Sequence, residues 1–247
     1  MKTDLLDRLL EARGAGRPVA LVTDLGDHRQ CLVFADTVTG RAMLDKDELP
    51  AVREALAQDR SGLLDRPDRQ LFVHAFNPPE RAIIVGAVHV AQVLAPMAAL
   101  AGYAVTIVDP RRAFATDARF PGVILVDEWP DEAFARLAPD SRTAIVTLTH
   151  DPKIDDPALA AALASPAFYI GALGSTRTHA GRLERLAARG FGPADLARIH
   201  GPIGLAIGAK TPAEIAISIM AELTAVRRGN ATTTQAAAAK ATREAAA

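Results

Sequence analysis

RAIIVGAVHVAQVLAPMAALAGYAVTIVDP, residues 81–110, holds two apolar runs separated by a helical stretch. The spacing predicts a strand over 82–87, a helix over 89–102 and a second strand over 103–110. Strands that are apolar on both faces are typical of parallel sheets covered by helices on both sides. The segment therefore predicts a strand–helix–strand unit of a doubly wound α/β domain.

The same alternation continues toward the C-terminus. Further apolar runs predict strands over 122–127, 143–149 and 167–172, and the stretches between and after them predict helices over 130–137, 153–164, 176–189 and 212–227. The predicted fold class is α/β, with a Rossmann-like doubly wound parallel sheet.

A small α+β domain is predicted before this sheet. Its expected elements are helices over 3–13 and 48–59 and strands over 19–25, 30–36, 41–45 and 70–76. Asn77-Pro78-Pro79 interrupts regular pairing and predicts a boundary. We thus expect a first domain over 1–79, a Rossmann-like domain over 80–227, and a disordered Ala/Thr-rich tail over 228–247.

Composition excludes several classes of protein. The 247 residues carry a net charge of −1, so no chain-wide basic surface for nucleic acid is present. The single cysteine, Cys31, permits no internal disulfide, and no apolar run is long enough to span a membrane. These features fit a cytoplasmic protein.

The turn after the first strand of the α/β domain is the first candidate ligand site. It reads Gly86-Ala87-Val88-His89-Val90-Ala91, where a dinucleotide fingerprint would have G-x-G-x-x-G. The second glycine is replaced by Val88, which crowds the approach of a pyrophosphate. Asp109 ends the next strand, where it could accept hydrogen bonds from a ribose, or simply cap the strand end. Gly86, His89 and Asp109 are candidate cofactor contacts.

Two arginines follow Asp109 directly. A guanidinium presents paired donors that match a phosphate, so Arg111 and Arg112 are candidates for a ribose 2′-phosphate or a terminal phosphate. An ordinary solvated surface pair is the alternative.

A second glycine turn, Gly171-Ala172-Leu173-Gly174-Ser175, again lies between a strand and a helix. Its free amides and a helix start suit an oxyanion, and His179 and Arg182 share a face of that helix. Gly171, Gly174, Ser175, His179 and Arg182 are therefore candidates. Packing of this turn against the first one is the alternative.

Two further candidate sites each contain a histidine. His150 lies at the predicted carboxyl edge of the sheet, where open α/β folds bind ligands, beside the helix cap Asp151. The loop 200–210 contains His200, Gly204 and Lys210, and a loop so rich in glycine either approaches a ligand or makes a tight crossover.

Residues 168–186, FYIGALGSTRTHAGRLERL, and 197–223, ARIHGPIGLAIGAKTPAEIAISIMAEL, resemble the XdhC/CoxI family of xanthine dehydrogenase accessory proteins. The segments VGAVHVA, VTIVDPRRAF and VTLTHDP are similar to the family in the same order. The resemblance runs from about Ile83 to Leu223. Val88 and the absence of a glycine- and cysteine-containing stretch in residues 1–80 depart from its pattern.

The resemblance implies a domain that binds molybdenum cofactor, as molybdopterin or its dinucleotide form. It implies protection of the cofactor, help with its sulfuration, and insertion into an apo-molybdoenzyme of the xanthine, aldehyde or CO dehydrogenase type. It also implies a homodimer, contact with a cysteine desulfurase, and no turnover of its own. By this analogy the turns 86–91 and 171–175, with Arg111, Arg112, His179 and Lys210, would hold the pterin phosphate or dinucleotide.

Two other classes remain open from the residues alone. An NAD(P)-dependent oxidoreductase would use Gly86, Asp109 and Arg111 for its cofactor and a histidine as proton donor, although Val88 counts against it. A purely structural protein is the other class, but it would not explain why these loops are rich in glycine. No metal ligand can be assigned from the spacing of residues.

Overall fold

The computed structural model describes residues 3–42, 44–65 and 69–229. The chain forms two compact units, residues 1–78 and residues 79–247, and each is described by itself. Most of the predicted tail, residues 230–247, lies outside the described residues.

The first unit is a five-stranded antiparallel sheet with one helix on each face. The strand order is β3-β2-β1-β5-β4, with β1 (Val19–Asp24), β2 (Gln30–Val33), β3 (Val38–Gly40), β4 (Gly62–Asp65) and β5 (Gln70–Phe76). Helix α1 (Thr3–Gly14) packs Leu5 and Leu9 against Leu32 and Phe34. Helix α2 (Glu48–Ala57) packs on the opposite face, over a cluster that includes Cys31. Burial raises the pKa of the Cys31 thiol to about 11, so this cysteine behaves as a small apolar residue.

The predicted third strand over 41–45 is wrong. The strand lies at Val38–Gly40, and the backbone amides of Arg41 and Ala42 both donate to the carbonyl of Gln30 as the ladder ends. Ala42 and Leu44 still face the core from this loop, which explains the misleading apolar pattern. Strand β4 was also missed, and Met43 lies outside the described residues.

The second unit is a six-stranded parallel sheet in the order β8-β7-β6-β9-β10-β11. Its strands are β6 (Arg81–Val85), β7 (Ala104–Val108), β8 (Ile124–Val126), β9 (Thr143–Thr147), β10 (Tyr169–Ala172) and β11 (Ile199–His200). Numbered from β6, this is the 3-2-1-4-5-6 order of the dinucleotide-binding Rossmann fold. The predicted fold class is confirmed.

Helices cover both faces of this sheet. Helices α3 (His89–Leu100) and α8 (Pro212–Arg227) bury one face. Helices α4 (Pro130–Leu137), α5 (Pro152–Leu163) and α6 (Thr176–Ala188) bury the other. The short α7 (Pro193–Leu196) and β11 were not predicted, because each is too short to produce a periodic pattern.

A buried polar network fixes the chain around β11. Tyr169 Oη donates to Glu222 Oε2 over 2.6 Å, and the amide of Gly204 donates to the same oxygen over 2.8 Å. His200 stacks on the Tyr169 ring at 4.7 Å and places Nδ1 3.4 Å from Glu222 Oε1. Burial alone would raise the pKa of Glu222, but the hydrogen bonds from His200, Tyr169 and Gly204 outweigh it and lower the pKa. Glu222 is 0% exposed, so these bonds hold a charge in the interior.

We predict that Tyr169→Phe destabilises the protein by about 1–3 kcal/mol, because it removes a donor from a buried carboxylate without changing the ring. Urea unfolding of the full chain measures the change. Tyr103→Phe is the matched control: this half-buried tyrosine also bonds to a carboxylate, Glu80, but Glu80 is partly exposed, so the loss should be smaller. Equal losses in both variants would contradict a special role for the Tyr169–Glu222 bond.

Candidate functional site

The candidate site lies where the strand order of the parallel sheet reverses. Strands β6 and β9 are neighbours, and the chain leaves them toward opposite faces of the sheet, which opens a crevice at their carboxyl ends. A pocket of about 590 Å³ lies there. We call it the switch-point pocket; it is lined by Val88, His89, Val90, Arg111, Leu148, Thr149, His150, Asp151, Pro152 and Leu173.

Gly86 lets the first turn pass close to the loop after β9. Its φ of +107° is in the region that favours glycine, and a Cβ here would lie 2.6 Å from Thr149 Cγ2. Glycine is therefore required here, because the turn after β6 and the loop after β9 approach each other closely beside the pocket.

Asp109 fixes this turn from β7. One carboxylate oxygen accepts from the amide of Ala87 at 2.8 Å and from Nη2 of Arg111 at 2.8 Å. The other accepts from the amide and from Nε of Arg111, both at 2.9 Å. Burial alone would raise the pKa of Asp109, but the hydrogen bonds from Arg111 and Ala87 outweigh it and lower the pKa.

This geometry corrects the expectation that Asp109 binds a ribose. Asp109 is 0% exposed, and each of its oxygens already accepts two hydrogen bonds. Its observed role is to cap the strand end and to hold the Gly86 turn and Arg111 in place.

Arg111 is the fixed cation of the pocket. Its guanidinium bonds to Asp109 on one side and lies 4.8 Å from the centre of the Phe114 ring. The side chain keeps 37% exposure and lines the pocket. The hydrogen bonds to Asp109 raise the pKa of Arg111, so its charge is permanent.

Three helices follow strands at or beside the switch point, β6, β9 and β10, and they differ in how their first amides are satisfied. Asp151 caps α5 by accepting from the amide of Lys153, and Ser175 caps α6 by accepting from the amide of Thr178. Helix α3 follows Val88, whose apolar side chain accepts no hydrogen bond from the first amides of the helix. The first amides of α3 and the positive end of its dipole are thus available to an anion, beside Arg111.

A buried polar chain ties together the loops after β9 and β10. Thr149 Oγ1 donates to Asp155 Oδ1 over 2.6 Å, and Asp155 Oδ2 lies 3.4 Å from Nη2 of Arg182. The same Nη2 donates to the carbonyl of Leu173 over 2.8 Å. Thr149 and Leu173 both line the pocket, so Asp155 and Arg182 set the separation of two of its walls.

The structure gathers only some of the predicted site residues. His89, Arg111 and His150 line the switch-point pocket, and Gly86 and Asp109 support it from below. Arg112 points elsewhere: its side chain is 83% exposed and pairs with Asp127 at 2.6 Å.

The candidates of the second glycine turn take mostly internal positions. A Cβ on Gly171 would lie 2.4 Å from Ile203 Cδ1, so this glycine makes room for protein. Arg182 is 2% exposed, which corrects the expectation that its head faces a ligand; it serves Asp155 and Leu173 instead. Gly174, with φ +150°, and the exposed helix cap Ser175 follow Leu173 at the pocket wall.

His179 lies against Gly201, where a Cβ would come within 2.1 Å of its Nδ1. Burial, and then the charge of Arg182, lower the pKa of His179 and favour its neutral form.

The loop 200–210 is explained largely by packing. His200 belongs to the Tyr169–Glu222 network, and a Cβ on Gly204 would lie 2.4 Å from Ser218 Oγ. These contacts correct the expectation that His200 and Gly204 meet a ligand directly. The side chain of Lys210 is exposed, and its amide donates to Glu214 at the start of α8.

Sequence reasoning missed Thr149, Asp151 and Leu173 as pocket residues and Asp155 as their support. The usable signal was Thr149-His150-Asp151 at a strand end, from which only the histidine was chosen. In the described part of the chain, no cluster of three or more His, Cys, Asp or Glu side chains could hold a metal ion. None of the helices within those residues is long and apolar enough to cross a membrane.

The fold and site define a Rossmann domain with an anion-compatible pocket at its switch point. Residues 82–223, more than half of the chain, match the XdhC Rossmann domain, and the protein belongs to that family. The resemblance drawn from the sequence is confirmed.

The chain is similar to two bacterial proteins whose names refer to molybdenum cofactor insertion and to xanthine dehydrogenase. The chain is 33% identical over 156 residues to the molybdenum cofactor insertion chaperone PaoD of Escherichia coli K12, covering 63% of this chain and 43% of PaoD. It is 31% identical over 159 residues to a probable xanthine dehydrogenase subunit of Bacillus subtilis 168, covering 64% of this chain and 46% of the relative. It thus spans less than half the length of these relatives.

A solved structure shows the same architecture over most of the chain. The crystal structure of a xanthine dehydrogenase from Bacillus halodurans is similar with a TM-score of 0.72 and 25% identity, over 91% of this chain and 66% of that chain.

The Asp155 carboxyl gives the site a pH dependence. Burial raises its pKa to about 6, against the hydrogen bond from Thr149 and the charge of Arg182. The pKa of an aspartate in the unfolded chain is about 3.9. Between about pH 4 and pH 6 the Asp155 carboxyl is therefore protonated in the folded state and ionised in the unfolded state. The stabilising contribution of Asp155 is complete below about pH 4 and is lost as the pH rises through about 6.

We predict that the unfolding free energy of the wild type, relative to Asp155→Asn, falls by roughly 2–3 kcal/mol between pH 4 and pH 7. Urea unfolding across this range measures the difference. Asp156→Asn is the matched control, since Asp156 bonds to Arg185 and not to the pocket loops. Its charge is a lesser cause of the raised pKa of Asp155 than burial, so this variant should keep most of the fall. If the unfolding free energies of the wild type and of Asp155→Asn change in parallel with pH, Asp155 does not have a raised pKa.

Proposed function

We propose that this protein binds molybdenum cofactor in the switch-point pocket and delivers it to an apo-molybdoenzyme of the xanthine, aldehyde or CO dehydrogenase type. The observation that carries the proposal is the pairing of an uncapped helix start with a fixed cation in one pocket. Both features suit a phosphate, which the pterin cofactor bears. Membership of the XdhC family, and the name of the PaoD relative, select this cofactor among phosphate-bearing ligands.

The residues present fit such a cargo. The first amides of α3 and the guanidinium of Arg111 would bind the phosphate, while Val88, Leu148 and Leu173 would shield the ring system from water. His89 and His150 are exposed at the pocket and would donate hydrogen bonds to the cofactor. Arg112, Gly174, Ser175 and Lys210 are proposed as outer contacts that a larger ligand or a partner would reach.

Containment and transfer require no turnover in this chain. From the family resemblance, we propose a chaperone without catalysis of its own. From the family resemblance we also propose support for sulfuration of the cofactor, contact with a cysteine desulfurase, homodimerisation and a cytoplasmic location.

The NAD(P)-dependent oxidoreductase is the less supported alternative. Its cofactor normally uses a free acid at the end of the second strand for the ribose hydroxyls, and here that acid is buried under Arg111. Val88 also replaces the glycine that lets a pyrophosphate approach.

We predict that the wild type purified from a molybdopterin-competent host carries pterin, and that Arg111→Ala loses at least about tenfold of it. Removing a charge-assisted contact to a phosphate costs about 1.5–3 kcal/mol. Fluorescence of the oxidised pterin released from the full chain measures the occupancy.

Arg29→Ala, at an exposed arginine of the first unit, is the matched control and should keep wild-type occupancy. Co-purified NAD(P) without pterin would contradict the proposal and favour the oxidoreductase. Equal pterin occupancy in the wild type and Arg111→Ala would show that the phosphate does not bind at Arg111 in the switch-point pocket.

A further inference from the structure

The one tryptophan of the chain is exposed at the same edge of the parallel sheet as the switch-point pocket. Trp129 is 47% exposed and lies at the carboxyl end of β8, directly before α4. Only 4% of the residues are aromatic, and the large apolar interior is built without this ring. An exposed indole at a ligand-binding edge is a surface on which a flat heterocycle can stack.

Its place in the sheet matches the nucleoside end of a dinucleotide site. In this strand order, the half formed by β6, β7 and β8 is a mononucleotide-binding half, with phosphates at the first helix start. Arg111 after β7 lines the pocket, and its neighbour Arg112 bonds to Asp127, which lies two residues before Trp129. The turns after β7 and β8 are thus joined at the same edge of the sheet as the phosphate-compatible pocket.

The segment around Trp129 is rich in carboxylates, of which Asp127 pairs with Arg112 and Glu128 pairs with Arg136. Asp127 is 52% exposed, and Asp131 and Glu132 are exposed in the first turn of α4. Carboxylates repel a phosphate but accept hydrogen bonds from an exocyclic amino group, such as N4 of cytosine or the amino group of guanine. The chemistry at this edge therefore suits a neutral base that carries an amino group.

We propose that Trp129 and the carboxylates beside it form a nucleobase subsite, which takes the amino-bearing base of a nucleotide whose phosphate lies at Arg111. This inference rests on the proposed function and names its ligand more closely: a pterin dinucleotide with cytosine or guanine, in preference to the bare pterin phosphate.

The test uses the fluorescence of the single tryptophan. The apo-chain is titrated with CMP, GMP, UMP and inorganic phosphate, and the emission of Trp129 is followed. CMP or GMP should change the emission saturably, UMP should bind more weakly, and inorganic phosphate should leave the emission unchanged.

Calorimetry with the better of CMP and GMP then tests the variants. Trp129→Leu keeps an apolar side chain but loses the stacking plane and should weaken binding about tenfold. Phe72→Leu, at an exposed aromatic residue of the first unit, is the matched control and should bind as the wild type does.

The outcomes separate this inference from the proposed function. If the purified chain carries pterin but neither CMP nor GMP binds, the nucleobase subsite is refuted and the chaperone role stands. Equal affinity for UMP and CMP refutes recognition of the amino group. Nucleotide binding that Trp129→Leu does not weaken places the base elsewhere and also overturns the inference.

Discussion

The carboxylate of Asp109 is the contact on which the site depends. From the end of β7 it holds the amide of Ala87 in the first turn and the guanidinium of Arg111 in the pocket. Because it is fully buried, these bonds are made in surroundings where an unpaired charge would be costly. One side chain thus fixes the position of Arg111 relative to the start of α3. The shape of the switch-point pocket follows from this constraint.

Much of the fold could be predicted from the sequence, because apolar runs and helix caps are local signals. Helices over 130–137 and 212–227 were predicted with their observed bounds, since Pro130, Thr211 and Pro212 mark their starts. Strand ends were placed too late at Gly86 and Ala87, which are buried like strand residues but leave the ladder to form the turn. The two residues of β11 gave no pattern to detect.

The site was harder to predict, because side chains that are distant in sequence decide it. The turn after β6 and the importance of Arg111 were accessible from motif and charge. The burial of Arg182 was not, since it depends on Asp155, 27 residues away, and on the carbonyl of Leu173. His200 looked available in a glycine-rich loop, and only the contacts with Tyr169 and Glu222 show it to be internal.

The most direct test of the account is a crystal structure of the full chain with bound molybdenum cofactor. The account predicts phosphate density within hydrogen-bonding distance of the first amides of α3 and of Arg111, with the Asp109–Arg111 bonds intact. Density for the phosphate at the turn between β10 and α6, or an Arg111 released from Asp109 and turned to solvent, would contradict it.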